Sequence, residues 1–462
     1  MINQQVSTGT NSIEKTYHYD HADRILAVKH TVKKENNVKL DTWHSAMRYN
    51  GIGLLKNKYL HSANGSDYRQ KLAHSFTPRS WLKKVEGQTG AGNNLGIELK
   101  YTDPSAGAAA QYNGNIAEML WRRAGSWVGY KFDYDGANRL LAAEGISGNN
   151  YKEYDINYDK SGNITFLKRN DGSTAWDNLS YTYEQGRLNT VTDGSVSSNG
   201  VKVGTSVYQF DNAGNLTSDG NKGAGIAYNI LNLPRQISVN SQTVQYHYDG
   251  TGAKQRMSNT NNTVNTKYAG IFEYNENNYL TRIGTDEGQI AVTSNGNTYT
   301  ANYYLKDHLG NVRAVINGEG VILQETEYFA FGLSIATSAG AVPEGQTYSV
   351  NKYQYNGKEK QPETGWLDYG ARMYDPSIAR WMVVDPLAEV MPSWSPYNYT
   401  FNNPLKYTDR DGTVPDIVIQ GANNSSVTVT TDLVNLTVNA SSLGVVLGGT
   451  TRLEGGMFSR PQ

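Results

Sequence analysis

The chain has 462 residues, with 42 basic and 43 acidic side chains and a formal net charge of −1. This balance disfavours a general nucleic-acid binder, because such proteins gather phosphates with an excess of basic residues. The absence of cysteine excludes disulfide frameworks, thiolate metal sites and cysteine nucleophiles.

The N-terminal segment, residues 1–10, contains neither the basic nor the apolar region of a signal peptide. No apolar run along the chain approaches the roughly 18 residues that a membrane helix needs. We therefore expect no membrane span, and we expect any export signal to lie outside this sequence.

An imperfect repeat organises the chain from residue 17 to residue 275. Each copy has an aromatic residue, a variable residue, Tyr or Phe, then Asp or Asn, a turn rich in Gly and Asn, and a short apolar stretch. From Tyr134 onward the copies follow at intervals of 18 to 27 residues. The copies begin at Tyr17, Phe132, Tyr158, Tyr181, Phe210, Tyr228, Tyr246 and Tyr274.

The repeat predicts a series of β-hairpins. Two aromatics separated by one residue lie on the same face of a strand, and the Asp/Asn–Gly segments suit tight turns. Each hairpin is too small to bury its aromatics alone, so neighbouring copies must stack. We predict an all-β fold in which the tyrosines pack between repeats. Exposed tyrosines that stack on sugars are the alternative.

The rest of the chain also favours strands. Leu95–Tyr101 alternates as a strand, whereas Asn115–Arg123 suits either a short helix or a strand ending at Trp121. Two hairpins are predicted between residues 289 and 323, followed by a loop at Thr337–Thr347. The tail, from Asp416 to Gly449, alternates and predicts two or more strands.

Several ordered motifs between residues 303 and 412 resemble the Rhs-associated core domain of bacterial YD-repeat proteins. Relatives of that family include wall-associated polymorphic toxins, toxin-complex C components and teneurins. The motifs are Tyr303–Arg313, Tyr328–Gly332, Tyr355–Glu359, Thr364–Pro376, Ala379–Pro386, Ser395–Pro404 and Asp409–Gly412.

The resemblance implies a long antiparallel YD-repeat sheet that spirals into a partial or complete hollow shell, capped by the Rhs core. It divides the chain into diverged repeats at 1–125, YD repeats at 126–285, the Rhs-associated core at 286–412 and a β-rich variable region at 413–462. In toxin relatives the shell encloses a C-terminal effector, so we expect a delivery role and a secreted or cell-surface location. The variable region is expected to be the truncated start of an effector, or a linker before one.

The resemblance also implies aspartyl self-cleavage by Asp385 and Asp409, with a cut just after Gly412, around Thr413. Such chemistry needs one ionised and one protonated carboxyl group. Arg380 is expected to orient a carboxylate or hold the segment. Asp411 is a second candidate carboxylate. The alternative is that both aspartates only cap turns, since Ala388, Arg410 and Thr413 depart from the family pattern.

Other chemistry finds little support in the sequence. Asp307 and His308 are adjacent, and adjacent strand residues point to opposite faces, so a dyad is not expected. No HExxH motif occurs, and no metal or cofactor is expected; the YD aspartates are read as turn caps rather than Ca²⁺ ligands.

The expected partners are the chain's own effector segment, a secretion-system spike or an immunity protein. A cell-surface carbohydrate is the partner in the alternative reading, in which the chain is an adhesion module without an effector.

Overall fold

The computed structural model describes residues 1–92, 94–123, 125–260, 265–336, 351–413, 415–418, 427–430 and 435–438. Within these ranges the chain is built almost entirely of strands and turns, which confirms the all-β prediction. The predicted loop at Thr337–Thr347 lies outside the described residues. No helix in the described ranges has the length and apolar character to cross a membrane.

A single antiparallel sheet of 29 strands runs through the described chain from residue 2 to residue 336, each strand pairing with the next. Asn115–Arg123 holds a strand, not a helix. The first nine strands are β1 (Ile2–Thr8), β2 (Asn11–Tyr19), β3 (Ile25–Lys34), β4 (Asn37–Tyr49), β5 (Leu55–Ser62), β6 (Gln70–Phe76), β7 (Leu82–Gln88), β8 (Asn94–Lys100) and β9 (Glu118–Arg123).

The middle strands carry the YD repeats, and each copy is a strand, a turn and a returning strand, as predicted. Side chains alternate in burial along them; in β20, Val244 and Tyr246 are buried while Gln245 and His247 are exposed. The strands are β10 (Ser126–Tyr134), β11 (Leu140–Ile146), β12 (Lys152–Tyr158), β13 (Ile164–Asn170), β14 (Ala175–Glu184), β15 (Arg187–Asp193), β16 (Gly204–Phe210), β17 (Leu216–Asp219), β18 (Ala224–Tyr228), β19 (Pro234–Val239), β20 (Gln242–Tyr248), β21 (Lys254–Asn259) and β22 (Asn265–Ala269).

The last strands bring the sheet back against its beginning. Ile13 and Val32 of β2 and β3 share an apolar cluster with Phe272, Ile283 and Ile290. Both predicted hairpins between residues 289 and 323 are present. The strands are β23 (Phe272–Tyr274), β24 (Leu280–Thr285), β25 (Gly288–Thr293), β26 (Thr298–Lys306), β27 (Val312–Asn317), β28 (Ile322–Tyr328) and β29 (Ser334–Ala336).

The sheet curls without closing into a barrel. Within the described residues, β1 pairs only with β2 and β29 only with β28. The contact in which β2–β6 lie against β23–β28 is called the seam below. It joins two layers of the same sheet through side chains and not through a strand ladder.

Residues 353–413, called the plug below, fill the space that the middle strands enclose. The plug belongs to the largest apolar cluster of the described chain, together with buried residues of β8–β21. It contains three 3₁₀ turns, at Tyr355–Gly357, Ala388–Val390 and Thr400–Asn402. Its strands are β30 (Glu359–Lys360), β31 (Leu367–Asp368), β32 (Met373–Asp375), β33 (Arg380–Trp381) and β34 (Tyr407–Asp409).

Three further strands follow the plug: β35 (Pro415–Val418), β36 (Val427–Thr430) and β37 (Asn435–Val438). β35 pairs with β34 of the plug and, in parallel, with β37. The predicted alternation of the tail therefore gives strands where the chain is described. The division of the chain at residues 125, 285 and 412 stays a prediction.

Candidate functional site

The aspartates of the repeat cap the turns that follow them. Asp135 Oδ1 accepts hydrogen bonds from the backbone N–H groups of Ala137 and Arg139, both at 2.9 Å. Its Oδ2 accepts one from Arg139 Nε at 2.6 Å. The same backbone contacts two and four residues ahead occur at Asp20, Asp159, Asp249 and Asp307. These carboxylates therefore fix turn geometry.

In five copies of the repeat, a tyrosine at or next to the end of the strand donates a hydrogen bond to a backbone carbonyl earlier in the chain. The hydroxyl of Tyr134 donates to the carbonyl of Ile116 at 2.9 Å, and that of Tyr158 to the carbonyl of Leu140 at 2.5 Å. The corresponding bonds run from Tyr183, Tyr228 and Tyr248 to Ile164, Leu216 and Pro234. The repeat tyrosines thus pack between strands, as the stacking argument predicts.

The turn glycines of the repeat allow the plug to approach closely. Gly162 has a φ of +76°, and a Cβ there would lie 2.7 Å from the ring of Trp394. Gly162 also accepts a hydrogen bond from Asn402 Nδ2 at 2.8 Å. At the turn of the copy that begins at Phe210, Tyr397 donates to the carbonyl of Gly214 at 2.8 Å. Any larger residue at Gly162 would both strain the turn and displace the plug.

Aromatic rings form the centre of the plug. The rings of Tyr374 and Tyr399 stack with centroids 4.1 Å apart, and Trp381 lies edge-on to both. The hydroxyls of Tyr369 and Tyr399 are 3.0 Å apart. This packing fixes the backbone on either side, including the segments that carry the two predicted aspartates.

Asp385 and Asp409, 24 residues apart in the sequence, meet at one arginine. Arg372 Nη2 lies 2.8 Å from Asp385 Oδ2 and 3.3 Å from Asp409 Oδ2. The guanidinium of Arg372 also lies over the ring of Trp381, 4.1 Å from the ring centroid. All three charged side chains are buried. The pairing that the resemblance implies is therefore present in the fold.

The backbone at the end of the plug, at Gly412 and Thr413, contacts both Arg372 and Asp409. Arg372 Nε donates to the carbonyl of Gly412 at 2.6 Å, and Nη2 donates to the carbonyl of Thr413 at 2.9 Å. Asp409 Oδ1 accepts from the backbone N–H groups of Asp411, Gly412 and Thr413 at 3.2, 2.7 and 3.1 Å. The expected cut site is thus held against both the arginine and a carboxylate.

Burial favours the protonated form of both aspartates. Burial raises the pKa of Asp385 above its ordinary value, although Arg372 acts to lower it, and the charge of Asp409 raises it further. Burial also raises the pKa of Asp409, against the lowering effects of Arg372 and of the backbone N–H groups of Gly412 and Thr413. Two buried carboxyl groups with raised pKa values at an arginine that binds the carbonyls of Gly412 and Thr413 are a suitable arrangement for acid–base chemistry.

Arg380 was expected to orient a carboxylate or to hold the segment in place, and its contacts are of the second kind. It donates to Ser395 Oγ at 3.3 Å, and its guanidinium lies over the rings of Tyr183 and Tyr397. It therefore holds the plug against the sheet, and the arginine at the aspartates is Arg372. The sequence did contain a signal for Arg372, because it lies in the Thr364–Pro376 motif of the resemblance.

Asp307 and His308 do not form a dyad. Asp307 caps its turn and accepts a hydrogen bond from Arg313 Nε at 3.0 Å, while His308 Nε2 lies 2.9 Å from the carbonyl of Leu405. In the described part of the chain, no group of three or more His, Asp or Glu side chains is placed to hold a metal ion.

Comparison with known families identifies the fold. Residues 111–411 match the model of the family described as Teneurin YD-shell, which is more than half of the 462 residues. The chain belongs to the teneurin YD-shell family. The matched YD-shell region runs from just before β9 to Asp411, so it includes the repeats, the plug and both aspartates of the site.

Curated relatives with similar sequences include toxins and a surface protein. Toxin subunit YenC2 of Yersinia entomophaga is 33% identical over 100 residues, 22% of this chain and 10% of the relative. The tRNA3(Ser)-specific nuclease WapA of Bacillus spizizenii is 29% identical over 273 residues, 55% of this chain and 11% of the relative. Salivary gland surface protein 1 of Aedes aegypti is 28% identical over 201 residues, 39% of this chain and 6% of the relative.

Solved structures with the same fold come from toxin complexes. A chain of the Photorhabdus luminescens Tc holotoxin pore has a TM-score of 0.67 at 18% identity, over 88% of this chain and 20% of that chain. The complex TcdB2-TccC3 without its hypervariable C-terminal region has a TM-score of 0.59 at 17% identity, over 87% of this chain and 20% of that chain. The present chain therefore has a toxin-complex-like YD-shell fold and spans a small part of each of these proteins.

Proposed function

We propose that this chain is the plug-bearing part of a YD shell that holds a C-terminal effector segment and cuts the peptide that joins the two. The observation that carries the proposal is the position of Asp385, Asp409 and Arg372 around the carbonyls of Gly412 and Thr413.

The family and the fold support a delivery role. The YD-shell match ends at residue 411, two residues before Thr413, so the chain that follows is outside the shared shell. One of the similar solved structures is described as lacking a hypervariable C-terminal region. We infer that the segment after Thr413 is the variable cargo or the linker to it, and that the shell separates it from solvent.

The proposed cleavage is hydrolysis of the Thr413–Val414 peptide bond. A water molecule loses a proton to one carboxylate and its oxygen bonds to the carbonyl carbon of Thr413. The other carboxyl group gives its proton to the reacting peptide, the C–N bond breaks, and the amine of Val414 leaves with a proton. Arg372, which already donates to the carbonyl oxygen of Thr413, stabilises the negative charge that develops there.

The contacts suggest which aspartate takes which role. Asp409 accepts three backbone N–H bonds, and such bonds favour the ionised form. Asp385 accepts one, from the N–H of Leu387, and the charge of Asp409 raises its pKa. We assign Asp409 as the ionised carboxylate and Asp385 as the acid.

The assembly and location proposed for the chain follow from its relatives. Toxin-complex subunits and WapA nucleases carry similar sequences, so we propose a secreted or cell-surface protein that assembles with other toxin components. A secretion-system spike and an immunity protein belong to the same proposal. The hydroxyls of the partly buried Tyr134, Tyr158 and Tyr183 are bonded to backbone carbonyls, which argues against the carbohydrate-binding alternative.

The experiment is denaturing mass analysis of the purified 462-residue chain over a long incubation. We expect two fragments that separate next to Thr413. Asp385→Asn and Asp409→Asn are each expected to slow the appearance of these fragments by about 100-fold or more, because each removes a proton-transfer group. If the intact mass of the unmodified chain persists, self-cleavage is wrong.

Asp411→Asn is the matched control. Asp411 is exposed and accepts a hydrogen bond from Thr413 Oγ1, but it does not contact Arg372 in the described structure. This variant should cleave at close to the unmodified rate. A loss as large as that of Asp409→Asn would move the chemistry to Asp411 and overturn the assignment of roles.

A further inference from the structure

The seam contains a cluster of histidines that the proposed cleavage does not use. Four of the eight histidines of the chain lie one to a strand on neighbouring strands, His30 on β3, His44 on β4, His61 on β5 and His74 on β6. The rings of His30 and His44 stack with centroids 4.1 Å apart. The ring of Tyr303, from β26 of the opposite layer, lies 4.9 Å from His44 and bonds to His61 Nδ1 at 3.0 Å.

His30 and His44 are buried without hydrogen bonds. Their exposed fractions are 0% and 1%, and within the described chain none of their four ring nitrogens has a hydrogen-bond partner. The strand pairing of β3 with β4 shifts register between Val28 and Lys29, which leaves His44 at a bulge. A bulge re-aims a side chain, and here it directs His44 toward the opposite layer.

The groups around the histidines are mostly cations. Lys15 of β2 lies directly opposite His30 in the strand register and is 3.4 Å from Asp286. Lys58 of β5 binds Glu287 at 2.8 Å. The full set of charged groups that act on the cluster or on its ion pairs is Lys15, Lys58, Arg69, Arg282 and Lys306 against Asp286, Glu287 and Glu319.

The charges favour neutral histidines at neutral pH. Burial, with a smaller effect of Lys15, lowers the pKa of His30 to about 3. Burial and then Lys58 lower the pKa of His74 to about 4, although Glu287 acts in the other direction. Burial and then His30 lower the pKa of His44 well below its ordinary value. The pKa of His61 is lowered by burial and by Arg69, against Glu319.

The directions of these pKa shifts determine how the stability of the closed seam depends on pH. The opened seam binds more protons than the closed one, because its histidines regain ordinary pKa values near 6.5. Stability of the closed seam is therefore complete above about pH 6.5 and falls as the pH drops. Burial acts to raise the pKa of Glu287, but Lys58 holds it below its ordinary value, so Glu287 keeps its charge and the histidines dominate between pH 7 and pH 5.

We propose that the histidine cluster makes the seam an acid-opened closure, which holds β2–β6 against β23–β28 at neutral pH and releases them in a mildly acidic compartment. The plug contacts β23 through Tyr353, whose hydroxyl donates to Glu273 at 2.7 Å, and β28 through the ring of Tyr355. We therefore expect β23–β28 to stay on the plug while β2–β6 separate from them. The proposal concerns the shell itself and does not depend on self-cleavage.

The expected size of the effect follows from the shifts. At pH 5 an opened histidine with an ordinary pKa is protonated about 97% of the time, so each histidine that stays neutral when closed favours opening by about 30-fold. His30 and His74 together give about 1000-fold. The apolar contacts of the seam set the starting population of the open form.

Hydroxyl-radical footprinting of the purified full chain at pH 7.5 and pH 5 tests the proposal, because opening separates side chains and leaves the strand ladders intact. The buried side chains of Ile13, Val32 and Tyr303 should gain labelling at pH 5, and those of β13–β15 and of the plug should not. Equal gain in both regions, or no gain in the seam, would overturn the proposal.

Two variants and one direct measurement assign the effect. His30→Leu/His44→Leu should reduce the opening at pH 5 by about 1000-fold, because neither side chain can take a proton, and should leave only the contribution of His74 and His61. His21→Gln/His247→Gln, which changes two exposed histidines, should open as the unmodified chain does.

If the leucine variant does not fold, ¹⁵N-histidine NMR of the unmodified chain decides the matter. The closed protein should show neutral rings for His30, His44 and His74 down to about pH 5.5. Ordinary titration of these rings near 6.5 in the closed protein would contradict the proposal.

Discussion

The plug contact and the seam are two ways of joining parts of one sheet. At the plug, Arg169 of β13 is fully buried and binds both Glu153 and Asp177, at 2.7 and 2.9 Å. It also donates to the backbone carbonyls of Pro376 and Ser377 at 3.2 and 2.7 Å. At the seam, the apolar clusters are small, lysines form the ion pairs, and buried imidazoles have no hydrogen-bond partner in the described chain.

The difference indicates that the two contacts respond to different conditions. The plug depends on stacked rings and on an arginine, whose charge does not change at any ordinary pH. The buried carboxyl group of Asp219 at this contact responds in the opposite direction from histidines: burial and then Asp375 raise its pKa to about 7, so the contact is favoured as the pH falls. The seam depends on groups that change charge between pH 7 and pH 4. A shell built this way can keep its plug in place while its seam separates.

Removal of Arg169 is the strongest way to break the plug contact. Arg169→Met leaves Glu153 and Asp177 buried without their cation, and the carbonyls of Pro376 and Ser377 without a donor. We expect a loss of about 3–5 kcal/mol in the free energy of unfolding, measured by urea denaturation at pH 7.5.

Lys131→Met is the control for this substitution. Lys131 forms a partly exposed pair with Glu144 on the neighbouring strands β10 and β11, and exposed pairs contribute little. Its urea midpoint should match that of the unmodified chain. A small effect for Arg169→Met would show that the plug does not depend on this buried network.

Removal of Lys58 tests how much an ion pair contributes to the stability of the seam. Burial acts to raise the pKa of Glu287, but Lys58 holds this pKa below its ordinary value. That contribution to stability is present above about pH 4.5 and is lost as the pH falls further. In Lys58→Met, Glu287 is unpaired, so we expect a loss of about 2–3 kcal/mol at pH 7.5 that becomes smaller toward pH 4.

The measurement is the urea midpoint of Lys58→Met at pH 7.5, 5.5 and 4.0. Lys33→Met is the matched control, because Lys33 pairs with Glu14 at a partly exposed position on neighbouring strands of the same layer. A loss for Lys58→Met that grows as the pH falls would contradict the assigned direction of the Glu287 pKa.

The fold could be predicted because its determinants are local. The spacing of the two aromatics, the capping Asp and the turn glycine all act within one hairpin, and each reappears in the structure in its predicted role. The curvature that brings Ile13 against Phe272 depends on the twist summed over many strands. No short pattern in the sequence reports that sum, and the seam was not predicted for this reason.

The candidate site was predictable in part. The positions of Asp385 and Asp409 followed from the resemblance, and the fold brings them together. Arg380 was expected to orient a carboxylate or to hold the segment, and it packs against Tyr183 of the sheet, whereas Arg372 contacts both aspartates. Which arginine reaches the aspartates depends on packing that the sequence does not report. The histidines of the seam are 13 to 17 residues apart, so their contact depends on strand pairing and bulges.

Removal of one hydroxyl beside the plug is the substitution with the smallest expected effect on stability. Tyr158 donates to the carbonyl of Leu140 beside the plug, and Tyr158→Phe keeps the ring while it removes this bond. We expect a loss of about 1 kcal/mol in the free energy of unfolding, because the carbonyl of Leu140 loses a buried donor. The measurement is urea denaturation at pH 7.5 and at pH 5.

The effect of Tyr158→Phe on stability should not depend on pH. The pKa of Tyr158 is raised well above its ordinary value by burial, so its hydroxyl stays neutral throughout this range. The difference between Tyr158→Phe and the unmodified chain should therefore be the same at both pH values. Tyr279→Phe, at a ring that is 40% exposed in a repeat turn, should change stability by less than about 0.5 kcal/mol. A Tyr158→Phe effect that varied between pH 7.5 and pH 5 would mean that this hydroxyl is coupled to a titrating group, and the expected pH independence of this hydrogen bond would be wrong.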